Sequence, residues 1–292
     1  MEVLAVFLSA LLAMLQALLV PQMSPPRTGV TVTLEAAAPK STLKLPRVWG
    51  ARGTNRPLVV IDAGHGGRDP GAISPHGGQR EKNVTLALAR AVRDQLAGAG
   101  RVRVALTRDD DIFLPLRDRY EIARQLKADL FISIHADAAP NREARGATIY
   151  TLSEVASDEE AALLATRENK ADLIGGVDTG SQDADVNRIL IDLAQRESMD
   201  VSARFANLLF REASPLIPFH AGYHRFASLL VLKAPDIPSI LFEAGYLTHA
   251  QDVDYIHSRE GQAQIAMGMR RAVEAHFARR LAETRRPATP SG

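Results

Sequence analysis

Three residues of this chain have the types and settings of metal ligands. His65 stands in the turn Gly64-His65-Gly66-Gly67, inside the run VVIDAGHGGRDPGA (Val59 to Ala72). Glu81 opens the helix-like EKNVTLALA (Glu81 to Ala89), and His135 lies in SIHAD (Ser133 to Asp137). Zinc takes imidazole nitrogen and carboxylate oxygen, and in catalytic sites it keeps one position open for water. The set reads as the centre of a metal-dependent hydrolase. Glu243 follows directly on Ile240-Leu241-Phe242 and precedes Ala244-Gly245. Desolvation at the end of such an apolar run raises a carboxyl toward the range useful for proton transfer.

Taken singly, each residue has a plainer reading. A histidine in a glycine turn can be a turn residue with no task, and an acidic residue in a first helical turn is favoured by the helix dipole alone. His135 ends an apolar strand, where a polar ring without a partner is costly. Their joint occurrence at strand ends is what packing does not account for. The chain has no cysteine, which leaves His, Asp and Glu as metal ligands and excludes disulfides. A formal net charge of +1 gives no reason to invoke nucleic acid. Ligation by His–Glu–His is not unique to zinc, so another metal remains a reading of the residues alone.

The elements that must position these groups follow from periodicity. Leu58–Ala63, Val102–Thr107, Leu130–Ile134, Ala147–Leu152, Leu229–Leu232 and Ser239–Phe242 read as strands. Val84–Leu96 has helical spacing and stops at Gly98 and Gly100; Leu116–Leu126 is an amphipathic helix. A long acidic helical stretch from about Ser157 to Arg196 is interrupted at Gly175-Gly176, and helices follow over Val201–Phe210 and Gly261–Leu281. Strands alternating with helices predict a three-layer α/β domain, with a central mostly parallel sheet flanked by helices. In that architecture sites collect beyond the carboxyl ends of strands, where His65, His135 and Glu243 fall.

Residues 1–22 read as a signal peptide or membrane anchor, 23–56 as a linker, 57–282 as the catalytic domain and 283–292 as a polar tail. Val3–Val20 is almost unbroken apolar sequence with only Glu2 before it, and secretory signal, anchor and buried core helix are all open. Export is the expectation.

The quoted motifs, with RGATIYTLS and LKAPDIPSILFEAGYLTH, resemble the zinc-dependent N-acetylmuramoyl-L-alanine amidases of bacterial cell-wall turnover, in collinear order over roughly Pro57 to Leu281. The resemblance implies one α/β domain holding one Zn2+ on His65, Glu81 and His135, with Glu243 as the catalytic glutamate. It implies hydrolysis of the amide between N-acetylmuramic acid and L-alanine in peptidoglycan, in the periplasm. The nearest alternatives are a zinc peptidase acting on another wall amide and a wall-binding protein that keeps the fold with little or no activity. His220 and His224 are spare histidines, as compatible with packing as with lining a substrate groove.

The segment of about 154–200 is long for a connection in an α/β fold. DEEAALLATRENKADLIGG resembles the regulatory insertion of the division-associated branch, whose helix supplies a glutamate to the zinc until an activator protein removes it. That resemblance assigns the inhibitory ligand to Glu168, with Glu159 and Glu160 as alternatives, and a role in septum splitting. Too few residues precede Pro57 for the separate β-rich wall-targeting domain such enzymes often carry. Nothing in the sequence demands more than a monomer.

Overall fold

A computed structural model of the chain describes residues 43–285 apart from 51, 52, 54 and 175–187. The apolar segment Val3–Val20 lies outside the described residues. Among the described residues no helix is long and apolar enough to cross a membrane.

The strands are β1 (Val48–Gly50), β2 (Leu58–Ala63), β3 (Arg103–Leu106), β4 (Leu130–His135), β5 (Ala147–Leu152), β6 (Phe219–Ala227) and β7 (Ser239–Glu243). They form one seven-stranded sheet in the order β1-β3-β2-β4-β7-β5-β6. β3, β2, β4 and β7 run parallel. β1 at one edge is antiparallel to β3, and β5 is antiparallel to β7 while β6 runs parallel to β5. The helices are α1 (Glu81–Ala99), α2 (Leu116–Gln125), α3 (Glu159–Glu168), α4 (Ala171–Ile174), α5 (Arg188–Ala213), α6 (Ala250–His257) and α7 (Arg259–Arg285).

β2, β4 and β7 are buried along their whole length, so both faces of the sheet carry apolar side chains. Val59, Ile61, Ile132, Ile134, Ile240 and Phe242 pack against α1, α5 and α7. Val60, Phe131, Tyr150 and Leu241 face the other way, onto α2, α3 and α4. In α1 the buried stripe Val84, Leu88, Val92, Leu96 has the spacing of one helical face, and Gly100 ends the helix in a left-handed conformation. Truncating a side chain such as Leu88, which is fully buried, costs about 2–5 kcal/mol.

The structure departs from the sequence reading in several places. Leu230–Leu232 is a 3-10 turn rather than a strand: Leu232 N–H bonds back to Leu229 O, and the run closes on itself instead of joining a ladder. An apolar run that short does not declare its backbone by periodicity. β6 was not expected, because Gly222 and the half-buried or exposed polar residues of this edge strand break the alternation. β1 lies within the stretch read as linker, where Trp49 stacks under Arg93 with 4.8 Å from guanidinium carbon to ring centre. The helix at Val201–Phe210 is part of the longer α5, and α7 is preceded by α6 with a break at extended Ser258.

Candidate metal centre

β2 delivers its chain into the glycine turn, and His65 itself adopts φ +60°. Left-handed backbone costs a non-glycine residue about 1 kcal/mol or more, so the surroundings must hold it there. Two glycines make room for the site. A Cβ on Gly64 would lie 2.5 Å from Cε1 of His135, and one on Gly71 (φ +64°) 2.6 Å from both Oε2 of Glu81 and Cδ2 of His65. His135 closes β4 and pairs in register with Glu243 at the end of β7. Glu81 begins α1, where the dipole favours an anion.

These side chains converge. Nε2 of His65 lies 3.1 Å from Oε2 of Glu81, and Nδ1 of His135 lies 3.2 Å from Oε1 of Glu81. Glu168, at the end of α3, places Oε2 3.6 Å from His65 Nε2 and 3.1 Å from His135 Nδ1. One donor atom from each of the four residues lies within 4.8 Å of the others, and all four residues are buried. Glu81 is braced by the N–H of Ala72 (2.8 Å) and of Ala136 (3.0 Å). Asp69 Oδ2, 2.8 Å from His65 Nδ1, fixes the ring and turns Nε2 toward the cluster.

The electrostatics show a site built for positive charge. Burial works against an imidazolium at His65, but the charges of Glu81 and Glu168, then the hydrogen bond of Asp69, outweigh it and hold its pKa well above the ordinary value. Burial likewise opposes a carboxylate at Glu81, and His65 and His135 overcome it, leaving its pKa well below the usual range. His65 Nε2 and Glu168 Oε2 are buried with no hydrogen-bond partner. Two imidazoles and two carboxylates converging on one buried point, with His65 Nε2 and Glu168 Oε2 unpartnered, fit a divalent cation that accepts nitrogen and oxygen, as zinc does.

Glu243 stands beside this cluster, fully buried. Its Oε2 accepts the Asp137 N–H at 2.9 Å, while Oε1 has no hydrogen-bond partner. Burial, then repulsion from Asp137, Glu81 and Glu168, pushes its pKa well above the carboxylate norm. Burial and the charges of Glu168 and Glu81 also raise Asp137, to about 7.

α3 is tied down at both ends. Asp158 caps α3 through Ala161 N–H, and Arg225 of β6 reaches Glu160 at 2.6 Å. At the other end Arg167 pairs with Asp137 at 2.5 Å and donates to Ala138 O. Asn169 accepts from Leu230 N–H and donates to Ser228 O, and Asp172 accepts the Leu116 N–H that opens α2.

The structure thus brings His65, Glu81, His135 and Glu168 together and sets Glu243 next to them. Glu160 is engaged by Arg225 and Glu159 is exposed, so neither reaches the cluster. His224 pairs with Thr151 and His220 accepts from Gly222 N–H; neither joins the site. Sequence reasoning gave no role to Asp69, Arg167 or Asp137. Asp69 was within reach, as a carboxylate four residues beyond a candidate ligand in the same turn.

The sequence matches the N-acetylmuramoyl-L-alanine amidase family over residues 59–275, and the chain belongs to that family. It is 38% identical over 233 residues to the amidase AmiC of Neisseria meningitidis serogroup B, covering 80% of this chain and 55% of that protein. It is 37% identical over 221 residues to AmiA of Escherichia coli K12, covering 75% of this chain and 76% of that one. AmiC of Escherichia coli O6:H1, 36% identical over 231 residues, is matched over 78% of this chain and 55% of its own length. The chain spans about half the length of the two AmiC relatives. Among solved structures, AmiC2 of Nostoc punctiforme superposes with a TM-score of 0.55 at 29% identity, covering 77% of this chain and 99% of that one. The catalytic domain of CwlV from Paenibacillus polymyxa gives 0.57 at 25% identity, covering 76% and 98%.

Proposed function

We propose that this chain is a zinc-dependent amidase that hydrolyses the bond between N-acetylmuramic acid and L-alanine in peptidoglycan, and that its own insertion holds it inactive. The observation that carries this reading is the buried cluster of His65, Glu81, His135 and Glu168, beside Glu243, in a chain of the amidase family. His65, Glu81 and His135 would hold one Zn2+. When bound, the metal supplies a Lewis acid that polarises the scissile carbonyl and brings the pKa of water down to about 7. Glu243 supplies the proton traffic: its free Oε1 takes a proton from water and returns it to the leaving amine of L-alanine. The backbone N–H of Asp137 keeps that carboxylate oriented through its other oxygen.

Glu168 is the inhibitory ligand in this reading. A fourth protein ligand makes a closed site, and closed sites are structural rather than catalytic. An activator protein that moves α3 would open the position. The parallel with the division-associated branch supports a role in septum splitting, and a wall substrate supports export to the periplasm, with the apolar Val3–Val20 as its leader or anchor. Incubation with purified peptidoglycan tests the substrate. The expected products are peptides with a free L-alanine amino terminus and intact glycan strands. Cleavage inside the peptide would replace the amidase reading with that of a zinc peptidase, and binding without cleavage would favour a wall-binding protein.

A further inference from the structure

Where β2 runs into the turn that carries His65, three successive carbonyls, those of Ala63, Gly64 and His65, face buried side chains. Buried carbonyls demand donors. Two arginines supply most of them, and Thr85 Oγ1 also donates to Gly64 O at 2.8 Å. Arg119 of α2, 1% exposed, forks across the turn: Nη1 donates to Ala63 O at 2.8 Å and Nη2 to His65 O at 2.9 Å. Its Nε donates to Leu114 O at 3.0 Å. Arg108, 2% exposed, donates from Nε to Ala63 O at 2.9 Å and from Nη2 to Gly64 O at 2.8 Å and Lys82 O at 2.9 Å. Asp62, the residue just before the turn, is the counter-charge. Its Oδ1 lies 3.1 Å from Arg119 Nη1, and it also accepts from Thr107 and Ser133.

This pattern exceeds what holding the fold together requires. The two ends of one guanidinium bond carbonyls on either side of Gly64, one of them the carbonyl of His65 itself. A rigid planar fork fixes the relative orientation of two acceptors, which a lysine ammonium on a flexible stem cannot do. The bond from Arg108 to Lys82 O reaches the first turn of α1, next to Glu81. Arg119 therefore grips the backbone of the candidate ligand His65, while Arg108 grips residues adjoining His65 and Glu81.

We propose that Arg119, with Arg108 beside it, is a positioning residue of the metal centre: the pair holds the left-handed turn so that His65 and Glu81 meet the cation in one geometry. The proposal rests on the metal reading of His65, Glu81 and His135. Its test is metal affinity in the full chain, measured by chelator competition with zinc, together with the visible spectrum of the cobalt(II)-loaded protein. Arg119→Lys keeps the charge facing Asp62 and loses the fork. Its metal affinity is expected to fall about tenfold to a hundredfold, the usual effect of losing an outer-shell partner, with an altered cobalt band. Val273→Ala, buried in α7 with no bond to the turn, is expected to lower thermal stability and leave affinity and spectrum unchanged.

Wild-type affinity and spectrum in Arg119→Lys would overturn the positioning role and leave the metal reading standing. Failure of the unaltered chain to take up zinc or cobalt would remove both. If Arg119→Lys does not fold, Arg108→Lys leaves the Asp62–Arg119 pair in place and carries the same expectation. Unchanged metal binding in that variant overturns the proposal equally.

Discussion

The backbone N–H of Asp137 holds Oε2 of Glu243 at 2.9 Å, although the two residues lie 106 positions apart in the chain. Asp137 also pairs through its carboxylate with Arg167 of α3. The residue that orients the proposed base is therefore the one that α3 grips beside the metal cluster. Helix position and the setting of Glu243 are mechanically joined through one residue.

Removal of the carboxylate proposed as inhibitory is the most direct check on this arrangement. Glu168→Ala is expected to raise release of dye-labelled peptidoglycan fragments at least about tenfold, the change that follows from about 1.4 kcal/mol of lost preference for the closed state. Zinc content should stay the same, since three ligands remain. Equal activity in the two proteins would leave the enzyme and dismiss the switch.

Glu243→Ala is expected to keep its zinc and to lose about 10²- to 10⁴-fold in hydrolysis, the usual contribution of a positioned general base. Full activity in this variant would remove Glu243 from the chemistry. The measurement pairs elemental analysis with turnover on the same preparation.

His65→Ala is expected to weaken metal binding by more than about a hundredfold, because losing even an outer-shell partner costs ten- to a hundredfold. Gly64→Ala should act in the same direction without touching a ligand, since its Cβ would press on a His135 ring that has no free end to yield. Unchanged zinc by elemental analysis in either protein contradicts the assignment.

The raised pKa of Glu243 has a consequence for stability in the metal-free protein. Above its unfolded value the folded state holds the proton more tightly than the unfolded state does, so this group makes stability fall as pH rises. Below that value its contribution vanishes. Glu243→Gln keeps an oxygen for the Asp137 N–H and removes the ionisation. Its melting temperature should match the unaltered chain near pH 4 and exceed it increasingly toward pH 8. A constant difference across that range would contradict a buried, proton-retaining carboxyl.

The residues that converge at the candidate site were legible in sequence because each sits at a punctuation mark: His65 among glycines, His135 and Glu243 at the ends of apolar runs, Glu81 at a helix start. The parallel core of the sheet followed from the same signals. What holds these candidate ligands in place was not legible. Arg119 reaches His65 O across 54 positions and Arg225 reaches Glu160 across 65, and such pairings leave no local pattern. β6 and the turn at Leu230–Leu232 escaped for a related reason, since sheet edges and short apolar corners take their conformation from neighbours rather than from their own periodicity.

The reversal of β5 against β7 decides where α3 begins. Because β5 runs opposite to the strands that end in His135 and Glu243, its chain leaves the sheet away from the metal cluster, and Ser157 bonds Phe226 there before the helix begins. α3 then travels back toward the ligands, with its anchored base at Asp158 and Glu160 and its tip at Glu168. A ten-residue helix is about 15 Å long, so tilting it by about 20° at the base swings the tip by about 5 Å. That is more than twice a zinc–oxygen bond of about 2.0–2.2 Å. In the proposed switch the helix is a lever with its fulcrum at Asp158 and Glu160, and a small rotation clears the site once the bonds of Arg167 and Asn169 at its tip are released.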